Sequence, residues 1–494
     1  MSIIIPANSA VGGGGLATNS LRFNKASSDS LTRTPSSNGS KTTNTISFWL
    51  KRSLFSGGTV QRLFSQLNTG GSGNPDDYIT FDDVDKINFQ FYGNGSSGVN
   101  NGYLVTNRVF RDNAAWYHIV AVQDTTNGTS GDRLRLYING VRETSFSTEN
   151  YPSQNTQGGA INNTSYPLFI GQRGNSAGYF DGYMAEYCFI DGQALAPTSF
   201  GEFNGDSGVW NPIDVSGLTF GTNGFYLQFE ESGTGTNASG MGADTSGNDN
   251  HFAVNNLTAI DQTTDTCTNN FATLNSLANV IAPVTLTEGN LKIAMTNSKG
   301  GNLSTISCTD GKYYAEMKIT TAPQDFRFHW GIMPHPVIAA DDPINAANAG
   351  IMLSGYNAVI YAANGIINNF YGNATGRFSG NPILGLAIDL KSATRTMAIS
   401  INGAWVTGSN ATDTDFSNAL KVDITSYVAT YPNWFIGCGS GNGSGTTGVY
   451  ELNFGNPIFT GTDQADGNGY GSFEYPPPSG YLALCTKNLS GELS

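Results

Sequence analysis

Tyrosines beside glycine and asparagine are the first residues in this 494-residue chain whose type and position could do chemistry. An exposed aromatic ring offers an apolar face with a polar tip, so it can stack on a sugar ring while neighbouring amides bond the hydroxyls. The alternative is that each tyrosine packs on the rim of its domain with a solvated hydroxyl. Tyr151 and Tyr166 lie in such loops. Six others are predicted as a glycan or protein contact surface: Tyr92, Tyr103, Tyr179, Tyr356, Tyr361 and Tyr371.

Two oxygen-rich loops are candidates for calcium, whose preferred ligands are carboxylates, carbonyls and waters. In the first, residues 244–250, the ligands would be Asp244, Ser246, Asn248 and Asn250. The second, residues 76–85, carries five aspartates. The alternative for both is an Asx-rich turn whose side chains cap their own backbone. Calcium is the only cofactor that the sequence suggests.

Catalytic signatures are weak. Gly174–Gly178 matches the G-x-S-x-G pattern of a nucleophile elbow, but that motif needs a preceding strand and a following helix. Here a glycine loop leads into another predicted strand. Glu230 and Glu231 are adjacent, so in a strand they would point to opposite faces and could not act as a pair. We interpret His118 as a buried strand residue. The spacing of the four histidines does not match that of zinc ligands. The chain is therefore predicted not to be an enzyme.

The composition indicates which elements must position these residues. The 62 glycines equal the charged residues in number, whereas an ordinary domain has about 25% charged residues and about 7% glycine. Glycine disfavours helix, so we expect an all-β protein with a Ser, Thr, Asn and Gly surface. A net charge of −14 argues against nucleic-acid binding. No stretch reaches the roughly 18 to 20 apolar residues that span a bilayer, so membrane insertion is not expected.

Alternation of apolar and polar residues recurs along the chain, as in half-buried strands. Ile46, Phe48 and Leu50 share one face, and Tyr313 to Ile319 alternates in the same way. Apart from His118, Trp116–Val122 is apolar on both faces, which predicts a central strand covered on both sides. Asn139-Gly140 and Asn402-Gly403 each follow an alternating run and predict tight hairpins. The five scattered cysteines lack a C-x-x-C pair and are read as reduced thiols.

A weak internal repeat organises the chain. Asp124, Asn139, Ile170 and Glu186 recur as Asp389, Asn402, Ile436 and Glu451 at a nearly constant offset, which predicts two domains with one strand order. We place the first at 20–265, a linker at 266–282 and the second at 283–494. Residues 1–19 form an N-terminal arm, whose apolar Ile3–Pro6 is a candidate docking strand for a partner subunit. The alternative is that this strand packs on its own domain.

Each half of the chain has its own series of strand motifs. In the first half these are Ser20–Asn24, Thr45–Lys51, Trp116–Val122, Leu134–Gly140 and Phe180–Tyr187. In the second half they are Gly311–Met317, Leu384–Leu390, Ile399–Gly403 and Leu452–Pro457. With these motifs the first half resembles a laminin-G-like jelly roll of the concanavalin A type, and the second half resembles a SPRY domain. Both resemblances imply antiparallel sandwiches, so the expected fold class is all-β, with two consecutive concanavalin A-like β-sandwiches and minimal helix. The string E-x-D-x-x-E, typical of laminarinase-like relatives, is absent.

This pairing, with the closing Tyr475–Leu484, is also similar to virion proteins of tailed bacteriophages, especially those of marine hosts. The resemblance implies a non-enzymatic fibre, spike or decoration subunit, assembled in the host cytoplasm and exposed on the virion. Its partners would be other virion subunits and a host-surface glycan or protein, contacted by many copies or a homo-oligomer. One alternative is a purely structural subunit without a host ligand. The other is a polysaccharide-degrading enzyme, which the missing carboxylate pair disfavours.

Overall fold

The computed structural model confirms a nearly all-β chain of antiparallel sheets. It describes residues 17–55, 57–68, 75–93, 101–174, 176–281, 284–296, 300–323, 326–334, 350–362, 365–369, 378–408, 411–431, 433–440 and 447–492. The candidate docking strand at Ile3–Pro6 and Tyr371 lie outside the described residues. The chain divides into two compact units whose described residues are 17–269 and 270–492.

The first unit is a sandwich of two large sheets with a small ribbon. Its strands are β1 (Ser20–Phe23), β2 (Ser30–Arg33), β3 (Thr43–Arg52), β4 (Gln61–Leu67), β5 (Asp76–Phe81), β6 (Lys86–Phe91), β7 (Gly102–Val109), β8 (Trp116–Asp124), β9 (Leu134–Ile138), β10 (Val141–Arg142), β11 (Phe146–Asn150), β12 (Leu168–Ile170), β13 (Gly182–Asp191), β14 (Gly201–Phe203), β15 (Trp210–Pro212), β16 (Phe225–Leu227), β17 (Ala253–Asn255) and β18 (Gln262–Thr263). Short 3-10 turns cover Ser130–Asp132, Pro197–Ser199 and Ala259–Asp261.

One large sheet, here called the β3 sheet, has the order β10-β9-β8-β3-β13-β1-β18, and β16 also pairs with β13. The other, the β4 sheet, has the order β11-β7-β6-β5-β4-β12-β2-β17, and β14 pairs with β15. Phe48 and Leu50 from the β3 sheet pack with Phe64 and Ile79 from the β4 sheet in one core. This is the face that the alternation of Ile46 to Leu50 predicts.

Strand β8 is covered on both faces, as predicted. Ile119 and Ala121 belong to the core between the sheets, whereas Val120 and Val122 pack on the opposite side. The chain after β13 supplies this outer layer through residues that include Phe200, Val215, Phe220 and Tyr226. The glycine-rich segment 201–247 therefore closes the first unit.

The second unit contains a second pair of large sheets. Its strands are β19 (Leu274–Ile281), β20 (Thr285–Thr287), β21 (Lys292–Thr296), β22 (Gly300–Cys308), β23 (Lys312–Thr321), β24 (Phe328–Pro334), β25 (Ile351–Ser354), β26 (Val359–Ala362), β27 (Gly365–Asn369), β28 (Ile383–Asp389), β29 (Thr396–Ile401), β30 (Ala404–Gly408), β31 (Ala411–Asp413), β32 (Val422–Asp423), β33 (Trp434–Ser440), β34 (Thr447–Asn453), β35 (Gln464–Ala465) and β36 (Ser472–Phe473). The helices are α1 (Thr425–Val428) and α2 (Thr486–Glu492), with a 3-10 turn at Phe416–Asn418. No helix in the described ranges is long and apolar enough to cross a membrane.

The strand orders are β19-β22-β33-β24-β25-β26-β27 and β20-β21-β34-β23-β28-β29-β30-β31, with β32 beside β29 and a β35-β36 ribbon. Segment 266–282, assigned to a linker from its sequence, contains β19, which pairs with β22. The sequence assignment missed this strand because Asn275 and Asn279 interrupt the apolar pattern. In the structure, Asn302 hydrogen-bonds to both asparagines.

Both Asn-Gly turns close hairpins, and they do so in the same way. Asn139 has φ 49° and Asn402 has φ 48°, the left-handed conformation that these turns require. Asn139 Oδ1 accepts the N–H of His118, and Asn402 Oδ1 accepts the N–H of Ile383. The repeat in the sequence thus has a local structural counterpart.

The prediction for β23 is confirmed on one face and corrected on the other. Tyr313, Met317 and Ile319 lie in the core as expected. Glu316, which the alternation from Tyr313 to Ile319 puts on the polar face, is fully buried because the C-terminal chain covers it. The backbone N–H groups of Glu474 and Tyr475 both donate to its carboxylate at 2.9 Å.

Candidate functional site

The predicted calcium loop is a closed turn around one carboxylate. Asp244 Oδ1 accepts the N–H groups of Tyr226 and Ser246 at 2.8 and 2.9 Å. Asp244 Oδ2 accepts the Ser246 hydroxyl at 2.9 Å and the N–H of Asn250 at 2.8 Å. Four donors therefore surround the oxygens that would bind an ion.

The two asparagines of this loop also face donors or backbone. Asn248 Nδ2 donates to the carbonyls of Gly221 and Gly224, and Asn250 Oδ1 accepts from the Arg33 guanidinium. A nearby guanidinium opposes a divalent cation by charge repulsion. Among the described residues, no group of three or more His, Cys, Asp or Glu side chains is placed to hold a metal. Calcium binding at this loop stays a prediction. It would be excluded if added calcium did not change the melting temperature of a dialysed sample.

Three of the five aspartates of the second acidic loop have separate structural roles. Asp76 pairs with Arg62 and Arg173 at 3.3 and 3.2 Å. Asp77 is buried and accepts three backbone N–H groups, and burial raises its pKa to about 7. Asp85 pairs with Arg52 and Arg111. These carboxylates already have partners in the fold.

The predicted tyrosines are not brought into one cluster. Tyr92, just after β6, and Tyr103, within β7, are half-buried. Tyr179 is half-buried just before β13. Tyr356 lies in the second unit with 53% of its surface exposed, and the Arg327 guanidinium lies 4.4 Å from its ring centre. Tyr361, on β26, accepts a hydrogen bond from Asn357. The set therefore divides between the two units.

A buried Ser-His pair in the first unit has the appearance of a nucleophile with its base. Ser47 Oγ lies 2.9 Å from His118 Nε2, and Trp210 Nε1 lies 2.9 Å from His118 Nδ1. The indole N–H can only donate, so Nδ1 must be the unprotonated acceptor. The proton of the neutral ring is then on Nε2 and points at Ser47. In this tautomer His118 donates to the serine and cannot take its proton.

Glu186, a second buried acidic side chain, lies beside this pair. It is buried on β13 at a β-bulge, with φ 50°. Burial raises its pKa to about 7, although the Tyr226 hydroxyl donates to it. A raised pKa and backbone strain are features of catalytic acids. However, the cavity beside Glu186 is narrow and mainly apolar; its lining includes Trp49, Cys188, Phe200 and Val215.

A more open concavity, here called the edge pocket, lies where edge strands of the two sheets of the first unit contribute side chains. Its volume is about 190 Å³. Strands β9 and β10 supply one side, and β11 with the residues around it supplies the other. The pocket is lined by Leu134, Arg135, Arg142, Glu143, Thr144, Phe146, Glu149 and Tyr151.

Some polar groups of the edge pocket lack hydrogen-bond partners within the fold. Arg135 Nε is buried without a hydrogen-bond partner. Glu143 Oε1 accepts two backbone N–H groups, whereas Oε2 has only Arg108 Nε at 3.4 Å. The Tyr151 hydroxyl donates to Glu149 at 3.0 Å. Buried polar atoms normally have partners, so an unpaired guanidinium N–H beside a pocket marks a place for a ligand or water.

This pocket is not among the sites predicted from the sequence, although the sequence contains a signal for it. The hairpin turn at Asn139-Gly140 pairs Arg142 with Tyr137, two residues beyond Arg135. Side chains at alternate positions share a face, so the turn register places Arg135 and Arg142 together. The contribution of β11 could not be read in the same way, because it comes from the other sheet.

A comparison with protein families agrees with this architecture in the first unit. The fold and the edge pocket define a concanavalin A-like sandwich with an open, polar concavity. Residues 25–197, which contain the whole pocket, match the Concanavalin A-like lectin/glucanases superfamily through its laminin G family. No curated protein sequence gives a match.

Several solved structures are similar in part. The SPRY domain of human HERC1 is 13% identical over 36% of this chain and 96% of its own, with a TM-score of 0.27. A heptameric SAP-like pentraxin from Limulus polyphemus is 16% identical over 39% and 80%, with a TM-score of 0.25. The CBM40 domain of a Ruminococcus gnavus IT-sialidase, bound to α2,3-sialyllactose, is 15% identical over 32% and 80%, with a TM-score of 0.24.

Proposed function

We propose that this protein is a non-catalytic carbohydrate-binding protein and that the edge pocket of its first unit is the binding site. The observation that carries the proposal is the buried, unpartnered Nε of Arg135 on the wall of an open pocket. A ligand hydroxyl at that position would satisfy a donor that the fold leaves unpaired. The match of residues 25–197 to a superfamily of lectins and glucanases supports this class of ligand.

The chemistry of the lining suits a neutral sugar. Arg135 and Arg142 balance Glu143 and Glu149, so the pocket has no strong net charge of its own. Guanidinium and carboxylate groups are planar and can each bond two neighbouring hydroxyls, and Tyr151 offers a ring for the sugar's apolar face. Ligand pockets usually measure about 300–1,000 Å³. A site of about 190 Å³ fits one sugar residue and implies weak binding per copy.

Weak single sites become effective when many copies act together, because each further contact forms at high effective concentration. We therefore place the protein on a particle surface, as a fibre, spike or decoration subunit of a bacteriophage virion that contacts a host glycan or protein. The resemblance of the chain to virion proteins supports this location. A purely structural virion subunit is the alternative, and immunogold labelling of virions that finds the chain only at buried joints would favour it.

An array of immobilised oligosaccharides, followed by calorimetric titration with the sugar that binds, tests the site. Tyr151→Ala and Arg135→Gln should each weaken binding by about tenfold or more, which corresponds to about 1.4 kcal/mol. Tyr356→Ala is the matched control, because this exposed tyrosine lies in the other unit. Loss of binding in Tyr356→Ala but not in Tyr151→Ala would move the site to the second unit and overturn the assignment.

The enzymatic alternative has a separate test. The wild-type protein and Glu186→Gln are incubated with the bound polysaccharide, and new reducing ends are measured. We expect none from either protein, because the histidine tautomer gives Ser47 no base and Glu186 faces a narrow apolar cavity. If wild type produces new reducing ends and Glu186→Gln does not, the protein is a hydrolase instead.

A further inference from the structure

A lysine and an aspartate meet in the interior of the first unit. Lys51, on β3, and Asp265, two residues after β18, both have side chains with 0% exposure. Lys51 Nζ lies 2.8 Å from Asp265 Oδ2, and Trp116 Nε1 donates to Asp265 Oδ1 at 3.3 Å. The ring centre of Tyr183 is 5.5 Å from Nζ. The two reactive groups are thus held together among aromatic rings and away from water.

This environment weakens the charged form of the lysine. Burial lowers the pKa of Lys51, although the charges of Asp265 and Asp112 favour the ammonium. Taking an ion pair out of water is costly, so a pair with neutral amine and neutral carboxyl becomes accessible by moving one proton along the hydrogen bond. A neutral amine beside a carboxylic acid is the reactive state for amide formation.

We propose that Lys51 and Asp265 form a covalent isopeptide bond between Nζ and Cγ. One proton first passes from Nζ to Oδ2, which gives an amine and a carboxylic acid. The nitrogen lone pair then attacks Cγ, and negative charge develops on Oδ1. A second Nζ proton passes to the Oδ2 hydroxyl, the Cγ–Oδ2 bond breaks, and water leaves. The amide keeps one N–H, and the reaction needs no oxidant, reductant or other reactant.

The arrangement of the neighbours matches these steps. Lys51 Nζ approaches the oxygen that leaves, whereas the Trp116 N–H points at the oxygen that remains. A donor aimed at the developing oxyanion stabilises the transition state in an interior of low dielectric. Fixing the two groups in contact replaces the encounter of separate molecules, an advantage that reaches about 10⁵–10⁸ M in effective concentration.

The cross-link would join β3 near the start of the first unit to the segment that ends it. A covalent closure of this kind restricts the unfolded chain and stabilises the fold, with longer loops giving the larger entropic effect. The cross-linked unit would also resist separation of its two ends under force. This inference is independent of the carbohydrate site, since none of its residues lines the edge pocket.

Intact-mass spectrometry of the full-length, folded protein tests the proposal. We expect a mass lower than that of the sequence by one water molecule. Digestion under denaturing conditions should give one branched peptide that joins Lys51 to Asp265, which separates this bond from dehydration elsewhere. A folded wild-type protein that retains the full sequence mass after prolonged incubation would overturn the proposal, and so would a branch at other residues.

Three variants identify the roles. Lys51→Arg keeps the charge beside Asp265 but lacks the nucleophilic amine, so it should show the full mass. Trp116→Phe removes the donor to Oδ1, and the cross-linked fraction should rise more slowly after refolding. Lys312→Arg changes a lysine of the second unit that pairs with Asp389 at 3.0 Å but is 33% exposed, and its mass loss should equal that of wild type. Full mass in Lys312→Arg would contradict the assignment.

Discussion

Ser47 and His118 lie in contact on neighbouring strands of the β3 sheet, with the imidazole as the donor to the serine hydroxyl. Trp210 imposes this orientation, because its indole N–H donates a hydrogen bond to the other ring nitrogen, Nδ1. Trp49 also stacks on the imidazole, with ring centres 4.7 Å apart. A pair that could be mistaken for a catalytic dyad is therefore a neutral structural contact.

The first prediction concerns the pH response of His118. Burial lowers its pKa from 6.5 to about 3, so the unfolded chain binds a proton in this range that the folded protein excludes. Stability should then fall as pH decreases below about 6.5, by about 2 kcal/mol at pH 5. Urea unfolding of wild type and His118→Gln at pH 7 and pH 5 measures this difference. An imidazole NMR signal that titrates near pH 6 in the folded protein would contradict it.

Glu186 should show the opposite dependence. Burial raises its pKa from 4.5 to about 7, so the folded protein holds a proton that the unfolded chain has lost. Relative to Glu186→Gln, wild type should lose stability as pH rises from about 4.5 to above 7, by about 3 kcal/mol in total. Glu202→Gln serves as control, because Glu202 is exposed and is not among the charges that shift the Glu186 pKa. The measurement is the unfolding free energy of each protein as a function of pH. Parallel curves for wild type and Glu186→Gln would show that Glu186 is ionised in the folded protein.

The third prediction compares two ion pairs. Asp85 pairs with Arg52, whose side chain is fully buried, whereas Asp132 pairs with the partly exposed Arg142. Asp85→Asn leaves a buried guanidinium without its carboxylate and should cost about 3–5 kcal/mol. Asp132→Asn should cost about 1 kcal/mol or less. Chemical denaturation of both variants measures the difference, and equal losses would mean that Arg52 finds another partner or water.

Much of the strand arrangement was predictable because it depends on local pattern. The alternation of Ile46 to Leu50 identifies the core face, and Asn139-Gly140 fixes a hairpin register that the structure confirms. The burial of Glu316 was not predictable, because its cover comes from chain more than 150 residues away. The edge pocket combines strands of two sheets, and its position depends on how those sheets pack. The isopeptide candidate likewise joins residues 51 and 265, which share no local pattern.

The last prediction concerns Gly140, which lies in the hairpin turn between β9 and β10, beside the Trp210 ring. Its φ of 76° lies in the left-handed region, and a Cβ there would be 2.4 Å from the indole. A side chain in this conformation costs about 1–2 kcal/mol, and the clash with a ring held by His118 adds to it. Gly140→Ala should therefore lower the unfolding free energy by more than about 2 kcal/mol. Gly128→Ala is the control, since nothing lies within 4 Å of its added Cβ. If both variants unfold alike, the indole moves freely, and the tautomer assigned to His118 loses its support.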